Sequence, residues 1–168
     1  MGLVNKNLAS RFINLLPLIL LFFLCLKDDT IFSFRFFDYL TINMQYIVIF
    51  YWVLKKPEIL GYGFIFLAGI ITDVILGLPM GISPLCYLTI STMATYTRIV
   101  TVKITLFTDW LTFIPALLAA NLVYFLVLYF YGTPVSYVNI LSASFFTFIL
   151  YPFIWLPFEI FRRYAGGN

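Results

Sequence analysis

The stretch from Leu67 to Pro84 reads LAGIITDVILGLPMGISP and combines an apolar helix pattern with one carboxylate, Asp73. After Asp73 the pattern breaks into Gly77-Leu-Pro79-Met-Gly81, and a second apolar run begins at Ser83-Pro84. An acid inside an apolar segment costs roughly 2.5 kcal/mol or more on membrane-insertion scales, so it usually has a partner or a function. The stretch predicts a helix, a tight turn and a second helix, with Asp73 as its principal polar group.

The composition predicts an integral membrane protein with a single domain over residues 1–168. Of the 168 residues, 63% are hydrophobic and only 10% are charged, whereas soluble domains carry about 25% charged residues. The chain has no histidine, which removes the commonest general base and a frequent metal ligand. It also has no phosphate-binding glycine loop, metal-ligand cluster or nucleophile motif. We therefore expect no enzyme activity, cofactor or metal, and a lipid bilayer rather than nucleic acid as the surrounding partner.

Six apolar segments predict an all-α bundle of six transmembrane helices. The predicted spans cover about residues 12–26, 39–54, 59–78, 84–96, 104–131 and 138–160. Tyr51 and Trp52 close the second span as expected interfacial anchors, and Lys55-Lys56-Pro57-Glu58 then forms a basic turn. Ser83 is the predicted N-cap of the fourth helix, with Pro84 at its first helical position.

The positive charges predict the orientation of the bundle. With six spans and the N-terminus inside, eight of the ten cations fall on the inner side, and only Lys27 and Arg35 fall outside. The inner cations are Lys6, Arg11, Lys55, Lys56, Arg98, Lys103, Arg162 and Arg163. Cytoplasmic segments of membrane proteins carry such an excess of Lys and Arg, so both termini are expected in the cytoplasm.

Asp73 is the leading candidate for a role beyond general packing. In a structural role, its carboxylate accepts hydrogen bonds from amides of the Gly77–Gly81 turn or from the N-terminus of the fourth helix. In the alternative role, it forms an ion or substrate site. The predicted structural or interaction residues are Gly69, Asp73, Gly77, Pro79 and Gly81.

The remaining polar groups favour ordinary structural roles. Asp109 lies near the start of the fifth helix, where a carboxylate suits the helix dipole, and Glu159 lies within helical reach of Arg162. Cys25 and Cys86 are expected as small buried hydrophobes. Ala116 and Ala120 are spaced so that a neighbouring helix can approach closely.

The order of these features resembles the family of the bacterial rod shape-determining protein MreD. The specific part of the resemblance is Gly69-x-x-x-Asp73-x-x-x-Gly77-x-Pro79-x-Gly81, supported by Lys55-Lys56-Pro57 and by a last helix with Pro152 and terminal arginines. The chain departs from that family in its high content of Phe and Tyr, where the family more often has Leu.

The resemblance implies a non-enzymatic, multi-pass inner-membrane subunit of the cell-wall elongation machinery that helps to maintain rod shape. Its implied partners are the membrane-anchored protein MreC, the actin-like MreB, the polymerase RodA and a penicillin-binding transpeptidase. The family's membrane domain is also similar to the six-helix substrate-binding subunits of energy-coupling-factor vitamin transporters. A solute-binding transporter component is therefore the alternative expectation.

Overall fold

The computed structural model describes residues 15–26, 43–101, 105–132 and 137–165, and every regular element in these ranges is an α-helix. The six helices are α1 (Leu15–Leu26), α2 (Met44–Lys55), α3 (Tyr62–Leu76), α4 (Ile82–Val100), α5 (Leu106–Tyr131) and α6 (Tyr137–Ala165). This confirms the all-α prediction. The residues predicted to end the first span, Lys27-Asp28-Asp29, and the orienting cations Lys6, Arg11, Arg35 and Lys103 lie outside the described ranges.

Two segments are long and apolar enough to cross a membrane, judged by length and composition. They are α5 and residues Ile140–Ile160 of α6. Helices α1, α2 and α3 are apolar but shorter, and α2, with 12 residues, is only about 18 Å long at 1.5 Å per residue.

Helix α2 lies at the centre of the core. Nine consecutive residues from Tyr46 to Leu54 are buried, although a helix with only one neighbour buries one face. Helices α4 and α6 pack against α2, and α4 also packs against α3 and α5. Leu21 and Cys25 of α1 join the same core.

The burial of α2 corrects the expectation that Tyr51 and Trp52 are interfacial anchors. Tyr51 is fully buried and Trp52 is 2% exposed. Both rings pack edge to face against each other and lie within 6.0 Å of the Phe158 ring of α6. The aromatic end of α2 therefore forms part of the core instead of an outer belt.

Helix α4 is rich in serine and threonine, and several of their hydroxyl groups form hydrogen bonds within the helix. The hydroxyls of Thr89, Ser91, Thr92 and Thr95 donate to carbonyls three or four residues earlier in the same helix. Such bonds let a hydroxyl residue sit inside a bundle without an unpaired donor. The predicted close approach of α5 is present, because Ala116 and Ala120 are fully buried.

The helices run so that the bundle has two ends with different chemistry. We call one the Asp73 end; it contains the start of α2, the end of α3, the 77–81 turn and the start of α4. We call the other the Lys55 end; it contains the ends of α2 and α6 and the start of α5. The basic turn after Lys55 is formed as predicted, with the amide of Ile59 donating to the carbonyl of Lys56.

Candidate functional site

The carboxylate of Asp73 joins the end of α3 to the start of α4. Asp73 is fully buried. Its Oδ2 accepts from the amide of Gly81 at 2.6 Å, and its Oδ1 accepts from the amide of Ser83 at 2.9 Å. These are the acceptor contacts predicted from the sequence. Since both oxygens bind backbone donors, the carboxylate is engaged in holding the chain.

The cap of α4 differs from the sequence prediction. The helix begins at Ile82 and its N-cap is Gly81, which has no side chain to accept from the first turn. The prediction that Ser83 is the N-cap, with Pro84 at the first helical position, is therefore wrong. Asp73 acts as the capping acceptor from a distance of eight to ten residues, and its negative charge lies at the positive end of α4.

Gly77 and Gly81 give the turn its backbone shape. Gly77 has φ 63° and Gly81 has φ 108°, both in the left-handed region that favours glycine. The amides of Gly77 and Leu78 both donate to the main-chain carbonyl of Asp73, which closes the end of α3. Pro79 lies between the two glycines and has no amide hydrogen to leave unpaired.

Gly69 permits α3 and α4 to touch through their backbones. A Cβ atom placed on Gly69 would lie 2.5 Å from both the Cα and the N of Pro84. No side chain fits at that distance, so glycine sets the spacing of the two helices. The unit formed by α3, the 77–81 turn and α4 therefore contains all five predicted residues: Gly69, Asp73, Gly77, Pro79 and Gly81.

The Lys55 end contains a second buried carboxylate, Asp109, whose side-chain partners were not predicted from the sequence. Lys55 Nζ lies 2.8 Å from Asp109 Oδ2, with the two side chains 8% and 1% exposed. Trp155 Nε1 donates to the same oxygen at 3.0 Å. Asp109 does lie in the first turn of α5 as predicted, but it also links α2, α5 and α6.

Glu159 completes the polar cluster at this end. As predicted, it forms an ion pair with Arg162, and it also accepts from the Tyr51 hydroxyl at 3.0 Å. The hydrogen bonds to Glu159 raise the pKa of the Arg162 guanidinium. The side chain of Arg163 lies outside what the structure describes.

A cavity of about 250 Å³ opens at the Asp73 end, between the start of α2, the end of α3 and the start of α4, with α5 and α6 forming the remaining wall. Most of its polar lining consists of amides and phenols: Asn43, Gln45, Asn121, Tyr46, Tyr87 and Tyr124. The described lining includes no Asp, Glu, Lys or Arg. No local sequence pattern marks this cavity, because its neutral lining is drawn from five helices.

The two cysteines are both free and buried, as predicted. Cys86 Sγ donates to the carbonyl of Ala120 at 3.6 Å, which marks the close contact of α4 with α5. Within the described ranges, no group of three or more Cys, Asp or Glu side chains could hold a metal ion.

Comparisons of the chain with protein-family models, with curated proteins and with solved structures find no match.

Proposed function

We propose that the chain is a six-span protein of the bacterial inner membrane with both termini in the cytoplasm. The exposed surface supports this, because large apolar side chains such as Phe107, Leu118, Leu122, Phe145 and Phe153 are 58–67% exposed along α5 and α6. Only 28% and 22% of the residues in their apolar windows are buried. A helix in the core of a soluble protein would be mostly buried, whereas lipid accepts such a surface.

The described cations support the proposed orientation. Lys55, Lys56, Arg98 and Arg162 all lie at or beyond helix ends on the Lys55 side of the bundle. The side rich in Lys and Arg faces the cytoplasm in most membrane proteins. Reporter fusions after Gly132 and after Asn168 are expected to lie outside and inside respectively, and two matching locations would contradict the topology.

We further propose that the protein is a non-enzymatic subunit of the cell-wall elongation machinery, as its resemblance to the MreD family implies. The observation that carries this proposal is the unit built around Asp73. The residues that make the resemblance specific, from Gly69 to Gly81, form one hydrogen-bonded connection between α3 and α4. Their geometry suits a fixed scaffold that presents surfaces to partners such as an MreC-like protein, RodA, a penicillin-binding transpeptidase and MreB.

Depletion of the protein in its host tests this function. Cells are expected to widen or become round, and the wall-elongation machinery is expected to lose its normal location. Complementation with the Gly63→Ala variant should restore rod shape, because a Cβ at Gly63 meets no atom within 4 Å. The Asp73→Leu variant should not restore it, since the start of α4 loses both contacts to the carboxylate.

A solute-binding subunit of a transporter is the second candidate, favoured by the cavity at the Asp73 end. Depleted cells would then keep their normal shape and show a growth defect that an added vitamin-like solute corrects. That result would support the transporter role and contradict the elongation role.

A further inference from the structure

The cavity at the Asp73 end has the size and the lining of a small binding site. Its volume of about 250 Å³ equals roughly eight water molecules at ~30 Å³ each. This is slightly below the range of about 300–1,000 Å³ that is common for drug-sized ligands. One ring with small substituents suits such a space, whereas a peptide or an acyl chain with its headgroup does not.

The amide side chains in the cavity keep hydrogen-bonding capacity after the bundle has used part of it. Asn121 Nδ2 donates to Ser144 Oγ at 2.7 Å, and Gln45 Nε2 donates to the carbonyl of Leu24 at 3.2 Å. These contacts fix both side chains and leave their carbonyl oxygens without a partner in the described part of the chain. The Asn43 side chain makes no capping bond to α2. The site therefore offers both acceptors and donors at fixed positions.

The phenols add flat apolar surface to these polar groups. The rings of Tyr46 and Tyr87 meet edge to face, with their centroids 5.8 Å apart. The Tyr87 hydroxyl is held 3.1 Å from the Thr72 hydroxyl. Rings oriented in this way can pack on the face of a ligand ring, while the amides bind its edges.

Among the described residues, the cavity lining carries no charged side chain that could pair with an ion. Asp73 of α3 does not line the cavity, and its two oxygens accept from the backbone amides of Gly81 and Ser83. A buried ion without an opposite charge or a full set of hydrogen bonds is strongly disfavoured. We propose that this cavity binds an uncharged, single-ring molecule whose edges both donate and accept hydrogen bonds.

The proposed ligand site can be tested separately from the proposed elongation role. Ligand binding is measured on the purified protein, whereas the elongation role is tested by the shape of depleted cells. A normal cell shape after depletion would overturn the proposed function and leave this site intact. The reverse result, a shape defect without binding, would overturn the site alone.

Two kinds of molecule share the required chemistry, a neutral heterocycle and a monosaccharide, and separate arms of one experiment distinguish them. The full chain in lipid nanodiscs, free of sugar detergents, is titrated with uracil or with methyl glucoside while the thermal midpoint is followed. Each probe has a charged counterpart of similar shape, orotate and glucuronate. We expect one neutral probe to raise the midpoint in a saturable manner, with its charged counterpart binding at least about tenfold more weakly.

Two variants locate the binding. Asn121→Leu places an apolar side chain in the cavity, and Asn43→Ala removes an amide that makes no capping bond; each should weaken binding by about tenfold. Thr89→Val is the matched control, because it replaces a half-buried polar side chain of α4 that does not line the cavity. If Asn121→Leu lowers the midpoint without a probe, Asn43→Ala alone carries the test.

Three results would overturn the proposal. They are the absence of a saturable shift with either neutral probe, equal binding of neutral and charged counterparts, and unchanged binding in both cavity variants.

Discussion

At the Asp73 end a buried carboxylate binds backbone amides, whereas at the Lys55 end a buried carboxylate binds side chains. The partners of Asp73 are the amides of Gly81 and Ser83, which every substitution except proline retains. The partners of Asp109 are Lys55 and Trp155, which mutation can remove. An ion pair between side chains can therefore be replaced as a unit, whereas a carboxylate that caps backbone amides must be kept.

Removing one partner of the Lys55–Asp109 ion pair should cause the largest loss of stability. Lys55→Met leaves the carboxylate of Asp109 buried with Trp155 as its one side-chain donor among the described residues. Loss of one partner of a buried pair costs about 3–5 kcal/mol. The double variant Lys55→Met/Asp109→Leu should recover most of this loss, since two apolar side chains pack without an unpaired charge. Chemical or thermal unfolding in detergent measures both. A double variant as unstable as the single one would contradict the comparison.

At the Asp73 end no second mutation can compensate. Asp73→Leu leaves the buried amide of Ser83 without an acceptor, at about 1–3 kcal/mol, and the half-buried amide of Gly81 as well. The loss of stability should therefore approach, but not exceed, that of Lys55→Met. Asp73→Asn has one acceptor oxygen for two amides, so we expect about half of the effect. Unfolding of both variants beside the wild type checks the order. Equal losses for Leu and Asn would mean that the negative charge matters more than the number of acceptors.

The next largest loss of stability is expected when the backbone contact between α3 and α4 is disturbed. Gly69→Ala places a Cβ 2.5 Å from the backbone of Pro84, and the resulting shift should cost about 1–3 kcal/mol. Gly63→Ala on the same helix is the control, because it meets no atom and should stabilise by up to about 1 kcal/mol through helix propensity. The unfolding midpoints of the two variants are compared, and that of Gly69→Ala should be the lower.

The smallest effect distinguishes the two glycines of the turn. Gly81→Ala forces alanine to φ 108°, and an L-residue in a left-handed conformation costs roughly 1–2 kcal/mol. Gly77→Asn should be milder, since asparagine tolerates the αL conformation found there, φ 63° and ψ 26°. If Gly77→Asn lowered the unfolding midpoint more than Gly81→Ala, backbone strain would not be the main role of Gly81.

The helical class and most of the Asp73 unit could be predicted from sequence because their signals are local. Apolar runs and turn residues mark each helix, and Asp73 lies only eight residues before Gly81, so a tight turn brings them together. The predicted span 39–54 ends one residue before α2 does, and the predicted span 84–96 ends four residues before α4 does. Residues 39–42 lie outside the described ranges.

The pairing at the Lys55 end is a long-range contact, and sequence gives only an indirect signal for it. Lys55 and Asp109 are far apart in the chain, but the predicted topology places both near the inner side. That signal was available, yet the dipole of α5 already accounted for Asp109. The burial of Tyr51 and Trp52 was missed because composition does not show that other helices surround α2.

Helix α6 contacts both ends of α2, and this has a consequence for the order of synthesis. Near one end the Thr147 hydroxyl accepts from the amide of Asn43, and near the other Glu159 accepts from Tyr51. Translation reaches α6 long after α2 has emerged from the ribosome. Until then the amide of Asn43, just before α2, and the Tyr51 hydroxyl lack these partners, so the nascent bundle stays open to rearrangement until its last described helix arrives.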